Sequence, residues 1–289
     1  MLLYLIFIVT LSANFCPEEA PFIWEIEYPS LFLIPPGYLG KGNYKLSSSF
    51  IHYSGDKYTD NDGNKFSIDR LKNNELEIDF SYGLMKRVDI GFQSGYISRE
   101  DNLYNPSTGK GISDFKLKLN YMPPLENHYF TLNYGVMGIF KTGKERDASN
   151  LGTTLGYNAL DQRFTALFPI NTKLNAMLEE RFTVPLEETE NGYKGTLSSS
   201  LSLGYRIKKL RPSIESAYIY EMGKENMNSR NLSIGAGLGV NILKSLLLKV
   251  GFRNDFQGIN SRLNRNFAVS LTYFSNPCSC SIPCPQPFE

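Results

Sequence analysis

Period-two alternation, sustained over segments of 11 to 13 residues and repeated down most of the chain, is the feature that most constrains its fold. In 75–82, Leu76, Ile78, Phe80 and Tyr82 share one face. Glu75, Glu77, Asp79 and Ser81 share the other, because successive strand side chains point oppositely. The pattern returns at Ile90, Phe92 and Tyr96 against Asp89 and Gln93, and at Phe115, Leu117, Leu119 and Tyr121 against Asp114, Lys116, Lys118 and Asn120. It recurs at Leu132, Tyr134, Val136 and Phe140, and at Leu197, Leu201, Leu203 and Tyr205 facing away from Thr196, Ser198, Ser200 and Ser202. Last, Leu232, Ile234, Ala236, Leu238 and Val240 oppose Ser233, Gly235, Gly237 and Gly239.

The pattern predicts strands over 44–54, 73–83, 87–98, 111–121, 129–141, 159–169, 173–184, 194–206, 211–221, 230–241, 246–256 and 264–274. Strands of soluble proteins centre near 5–6 residues, whereas a tilted membrane strand needs roughly 9–11. The connections alternate in length. Long ones are expected at 55–72, 99–110, 142–158, 185–193, 222–229 and 257–263, with short or moderate ones near Met85–Lys86 and at 122–128, 170–172, 207–210 and 242–245. Outer-membrane barrels pair short periplasmic turns with longer outer loops. Leu151–Tyr157 also alternates weakly; it is read as outer loop, which keeps the strand number even.

A sheet edge in hydrocarbon would leave backbone groups unpaired at several kcal/mol each, so such strands must close on themselves. The expected fold is therefore all-β, a closed antiparallel transmembrane β-barrel of twelve strands in the bacterial outer membrane. The competing architecture, a secreted sandwich, does not account for one densely charged face per strand. Nor does it account for tyrosines near strand ends, at positions 44, 82, 96, 121, 129, 205, 218, 220 and 273, where bilayer interfaces favour amphipathic rings.

Opposite charges are nearly balanced, at 30 basic and 29 acidic residues interspersed along 289, which leaves no basic face for nucleic acid. Residues 1–13 are apolar and uncharged, too short to span as a helix but the size of a secretory signal core. Cys16 offers a lipidation alternative for which Asn14 and Phe15 are poor neighbours. The expected organisation is a signal peptide at 1–13, a Pro-rich periplasmic segment or plug at 14–43, the barrel at 44–274 and a Cys/Pro-rich tail at 275–289. Cys16, Cys278, Cys280 and Cys284 favour bridging in an oxidising periplasm over metal binding, since no His lies near the tail thiols. No cofactor or metal is expected.

Two motifs, Tyr82–Gly91 (YGLMKRVDIG) and Gly109–Lys118 (GKGISDFKLK), resemble the strand–turn–strand and glycine–aspartate–strand signatures of a barrel family. That family is grouped with the outer-membrane protein of the phenol meta-cleavage pathway. Glu27–Gly42, with its prolines running into Gly37, is similar to the stretch leading into that family's first strand. The resemblance implies a passive transporter or channel for small, often apolar compounds.

Twelve strands about 4.8 Å apart, tilted about 40°, give a backbone diameter near ~24 Å and roughly 12–14 Å between opposed side chains. The expected lumen-facing set is Glu75, Glu77, Asp79, Asp89, Asp114, Lys116, Lys118, Arg181, Arg211, Glu215, Lys249 and Arg253. Lys116 is within reach of Glu77 or Asp79 only through a shared lumen, and Arg211 of Glu215 along one strand. The small strip Ser198, Ser200, Ser202, Gly235, Gly237 and Gly239 leaves either an open corridor or room for the N-terminal segment. The expected function is passage of small solutes, apolar ones included, through a mixed-charge lumen. Outer-membrane lipid, lipopolysaccharide and the barrel assembly machinery are the expected partners.

Two other classes compete. A non-conducting barrel would act through outer loops such as 56–72, where Asp60, Asn61 and Asp62 can attract a cation or form an ordinary turn. An enzyme would use His52, Ser54 and Asn74, which fall near one end of the first two strands and resemble the His–Ser–Asn arrangement of outer-membrane phospholipases.

Overall fold

A computed structural model describes residues 22–23, 37–102, 107–123, 130–171, 173–189, 192–223 and 228–276. The expected signal, most of the Pro-rich segment and the four cysteines lie outside the described residues. Strands β1 (Phe22–Ile23) and β2 (Gly37–Tyr38) form a small antiparallel pair. The barrel is built from β3 (Tyr44–Thr59), β4 (Lys65–Met85), β5 (Val88–Asp101), β6 (Thr108–Ile112), β7 (Phe115–Tyr121), β8 (Thr131–Phe140), β9 (Ala159–Pro169), β10 (Leu174–Pro185), β11 (Gly195–Tyr205), β12 (Leu210–Met222), β13 (Ser229–Leu243), β14 (Leu246–Ile259) and β15 (Ser261–Phe274). Each pairs antiparallel with its neighbours, and β15 returns to β3 to close the ring.

Thirteen segments make twelve strands, because β6 and β7 are halves of one. Tyr96 of β5 pairs with Ile112, and Gln93 with Lys116, so β5 advances by three residues where its neighbour advances by four. The extra residue is a bulge at Ser113–Asp114, where the Ser113 amide donates to the Gly95 carbonyl. The weak alternation of 151–157 does not become a strand; that stretch belongs to the connection after β8.

The faces sort as the alternation predicts. Leu76, Ile78, Phe92, Leu117, Phe164, Leu178, Leu201, Ile214, Ile234 and Phe252 are exposed, while Asp89, Asp161, Glu179, Ser202, Glu215, Lys249 and Asn266 are buried. This reverses the usual arrangement of a soluble core and is what a lipid solvent requires. On the exterior an aromatic row runs across five adjacent strands from Tyr273 through Tyr44, Phe80 and Phe92 to Phe115, with ring centroids 5.4–6.2 Å apart.

Two expected loops are shorter than their sequence indicated. In place of 55–72, β3 and β4 stay paired until a turn at 60–64, and in place of 257–263, β14 and β15 are joined through Asn260, whose φ is 51°. Alternation is imposed by lipid. Where a strand rises above the bilayer both its faces meet water, so the pattern stops while the backbone ladder continues.

At the short-turn end the chain enters along the interior wall. The Leu39 amide donates to both carboxylate oxygens of Asp89 (3.1 and 3.2 Å), and Leu39 packs on Leu247 and Phe274. Gly42 and Asn43 exchange backbone hydrogen bonds with Gly83, where an added Cβ would lie 1.9 Å from the Gly40 carbonyl oxygen. Only glycine at 83 lets this segment lie against β4.

Candidate functional site

The interior-facing charges form two groups near mid-barrel. In the first, Lys116 Nζ lies 3.1 Å from Glu77 Oε1, to which Gln93 Nε2 also donates (2.5 Å), and Lys118 pairs with Asp79. Both ion pairs reach from β7 over β5 to β4, and the interior-facing glycines Gly91 and Gly95 keep that path open. The pairing of Lys116 with Glu77 through a shared interior, expected from sequence, is formed.

In the second group Asp161 Oδ2 accepts from Arg181 Nε (2.5 Å) and Thr183 Oγ1 (2.6 Å), and Arg163 lies 3.7 Å from Glu179 and 3.9 Å from Asp161. Asp161 is 1% exposed and Arg181 39%. The groups sense each other across the barrel: Arg163 lies in the field of Asp79, and Tyr53, six strands around from β10 in the ring, lies in that of Arg181. Asp161, Arg163, Glu179 and Tyr53 are absent from the sequence-derived set. Their signal was present, since Leu160 and Phe164 share a parity that sends Asp161 and Arg163 to the other face.

Other residues in that set have local tasks. Asp89 holds Leu39, and Arg211 donates to the carbonyls of Lys208 and Leu210 at a tight turn. Glu215 and Lys249 are buried on the interior face, and Arg253 pairs in register with Gly235. The glycine strip is neither an open corridor nor a seat for the described N-terminal residues. A Cβ at Gly235 would lie 3.2 Å from Arg253 Cβ, and one at Gly237 2.8 Å from Ser213 Oγ, so the strip makes room for side chains of neighbouring strands.

Asp114 departs most from a simple wall position. From the bulge its carboxylate accepts the amides of Thr142 (3.2 Å), Gly143 (3.1 Å) and Leu155 (2.7 Å), which clamps the 141–158 connection. That connection folds inward over two interior glycines. A Cβ at Gly109 would meet Leu151, Asn150 and Gly152 at 3.0–3.1 Å, and one at Gly111 would meet Thr153 at 3.4 Å. Arg99 Nη1 donates to the Gly152 carbonyl (3.4 Å) and fixes the same loop from β5.

The infolded loop helps to bound a cavity of about 600 Å³ at the long-loop end, beside a second of about 650 Å³. Asp101 lines the first and Arg262 the second. Their ion pair, with Arg262 Nη1 2.8 Å from Asp101 Oδ2, stands between the two spaces like a strut.

The residues of the competing readings take ordinary roles. His52 and Asn74 are cross-strand partners joined by a 2.7 Å hydrogen bond, but Ser54 pairs in register with Lys72 and makes no hydrogen bond to His52. A hydroxyl nucleophile needs that bond. At the 60–64 turn Asp60 accepts from the amides of Asp62 and Asn64 and from the Asn64 side chain. The Asn64 carboxamide holds the Asp60 carboxyl below its usual range, as expected of an acceptor closing a turn.

No family model and no curated protein matches this chain. Solved structures do. An outer membrane channel from Pseudomonas putida F1 is 14% identical with a TM-score of 0.71, over 84% of this chain and all of that one. The NanC porin is 11% identical with a TM-score of 0.52, over 79% of this chain and 98% of that one. Both likenesses concern the fold, which is that of a bacterial outer-membrane β-barrel.

Proposed function

We propose that the chain is a passive channel that admits small polar solutes through its charged interior. The observation carrying this reading is the pair of ion-pair groups facing each other across mid-barrel, Glu77–Lys116 with Asp79–Lys118 and Asp161–Arg181 with Arg163–Glu179. Paired charges around a wet lumen exchange hydrogen bonds with water and polar solutes, and the lining sets size and charge preference. An apolar solute gains little from such walls, which narrows the broader sequence expectation.

On this reading the long-loop end faces outward, and the barrel is inserted by the assembly machinery. The exterior pairs Lys72–Glu100 and Arg265–Asp56 stand at the level of lipopolysaccharide phosphates. Kinship with the meta-cleavage-pathway barrels is supported by what the two motifs do. YGLMKRVDIG contributes Gly83 and Asp89, which seat the entering chain, and GKGISDFKLK contributes Gly109, Gly111 and Asp114, which seat the infolded loop.

Liposome swelling tests the proposal. Vesicles carrying the purified protein are expected to swell in isotonic glycerol or glycine and much more slowly in a trisaccharide. Swelling no faster than in protein-free vesicles for every solute would overturn it.

A further inference from the structure

We propose that the cavity of about 600 Å³ at the long-loop end binds a small hydroxylated carboxylate before it enters the channel. The proposal rests on the channel reading and names the solute class. The space is within the range of small-molecule sites, about 300–1,000 Å³. Arg99 from β5 and Arg146 from the infolded loop both line it, and planar guanidinium forks suit a carboxylate. Asn73 and Asn264 line it too, and their carboxamide oxygens are buried with no hydrogen-bond partner among the described residues. A buried acceptor in that state is completed by a donor, which a solute hydroxyl supplies.

Glu75 and Tyr53 add a second acceptor and a phenol to the same wall. With Glu75 and Asp101 present, a monoanion suits the site better than a dianion. An alkyl carboxylate would leave the asparagines unsatisfied, and a neutral polyol would leave the arginines without an anion. The combination of groups therefore selects for both features in one molecule.

Equilibrium dialysis of the full chain in detergent against gluconate, glucitol and hexanoate separates these features. Gluconate is expected to bind at least tenfold tighter than glucitol or hexanoate, a comparison that needs no variant. Asn73→Asp, nearly isosteric, places a negative charge beside the site and is expected to weaken gluconate at least tenfold. Arg146→Gln, at an exposed loop position, is expected to weaken it several-fold. Heat-modifiable gel mobility verifies that each variant is folded. Equal binding of the three probes, or gluconate binding untouched by Asn73→Asp, would overturn the site. Swelling in glycerol without selective gluconate binding removes the site and leaves the channel. Tight gluconate binding without swelling in any solute does the reverse.

Discussion

Phe80→Arg is expected to cost about 2–4 kcal/mol of barrel stability, the range for an arginine on the lipid face near the bilayer middle. Phe80 stands in the exterior aromatic row, its ring centroid 6.2 Å from that of Tyr44 and 5.4 Å from that of Phe92. The substitution therefore loses ring contacts as well as inserting a charge into lipid. Its interior control is not Asp79, whose pairing with Lys118 means that Asp79→Arg would set two cations side by side. Ser49 is the better choice. It faces the interior opposite Glu77, so Ser49→Arg gains an anion and is expected to cost less than about 1 kcal/mol. Urea unfolding of the two variants in lipid vesicles measures the difference, and equal losses would mean that the faces are assigned the wrong way round.

Asp161→Asn has the second large effect. The carboxylate is almost wholly buried between Arg181 and Arg163, and its loss leaves two guanidinium groups with Glu179 as the nearby anion. Breaking a buried pair costs about 3–5 kcal/mol, and the 39% exposure of Arg181 places this case near about 3 kcal/mol. Asp161→Asn keeps the shape of the side chain and one oxygen for Thr183, so the effect reports charge. A loss under about 1 kcal/mol in the same unfolding assay would show both arginines fully hydrated in the folded barrel.

Much of the barrel was legible because lipid imposes a rule on sequence. Wherever the exterior meets hydrocarbon, outward residues must be apolar, and strands such as Glu75–Leu84 declare their faces without any knowledge of their neighbours. The rule lapses above the bilayer, which is why the paired stretches Gly55–Thr59 and Lys65–Leu71 looked like loop. It is also blind to bulges. The shift at Ser113–Asp114 does not disturb the apolar parity of Phe115–Tyr121, yet it turns Asp114 from a wall residue into the anchor of an infolded loop.

Interior chemistry was legible by residue type and not by partner. Glu77 and Lys116 are 39 positions apart, and only the register through β5 brings them together. The mouth was hidden further still. Asp101 and Arg262 are 161 positions apart, and neither lies in a strongly alternating segment. Nothing in the local pattern marks their ion pair as the strut between two cavities.

Single-channel recording in planar bilayers tests the central claim, that the charged interior is a conducting path. Discrete current steps are expected in potassium chloride, with a larger unit conductance for Arg262→Ala, which removes the strut between the two outer cavities. A barrel shown by its heat-modifiable gel mobility to be folded, yet giving no steps in either the original or the Arg262→Ala form, would contradict it.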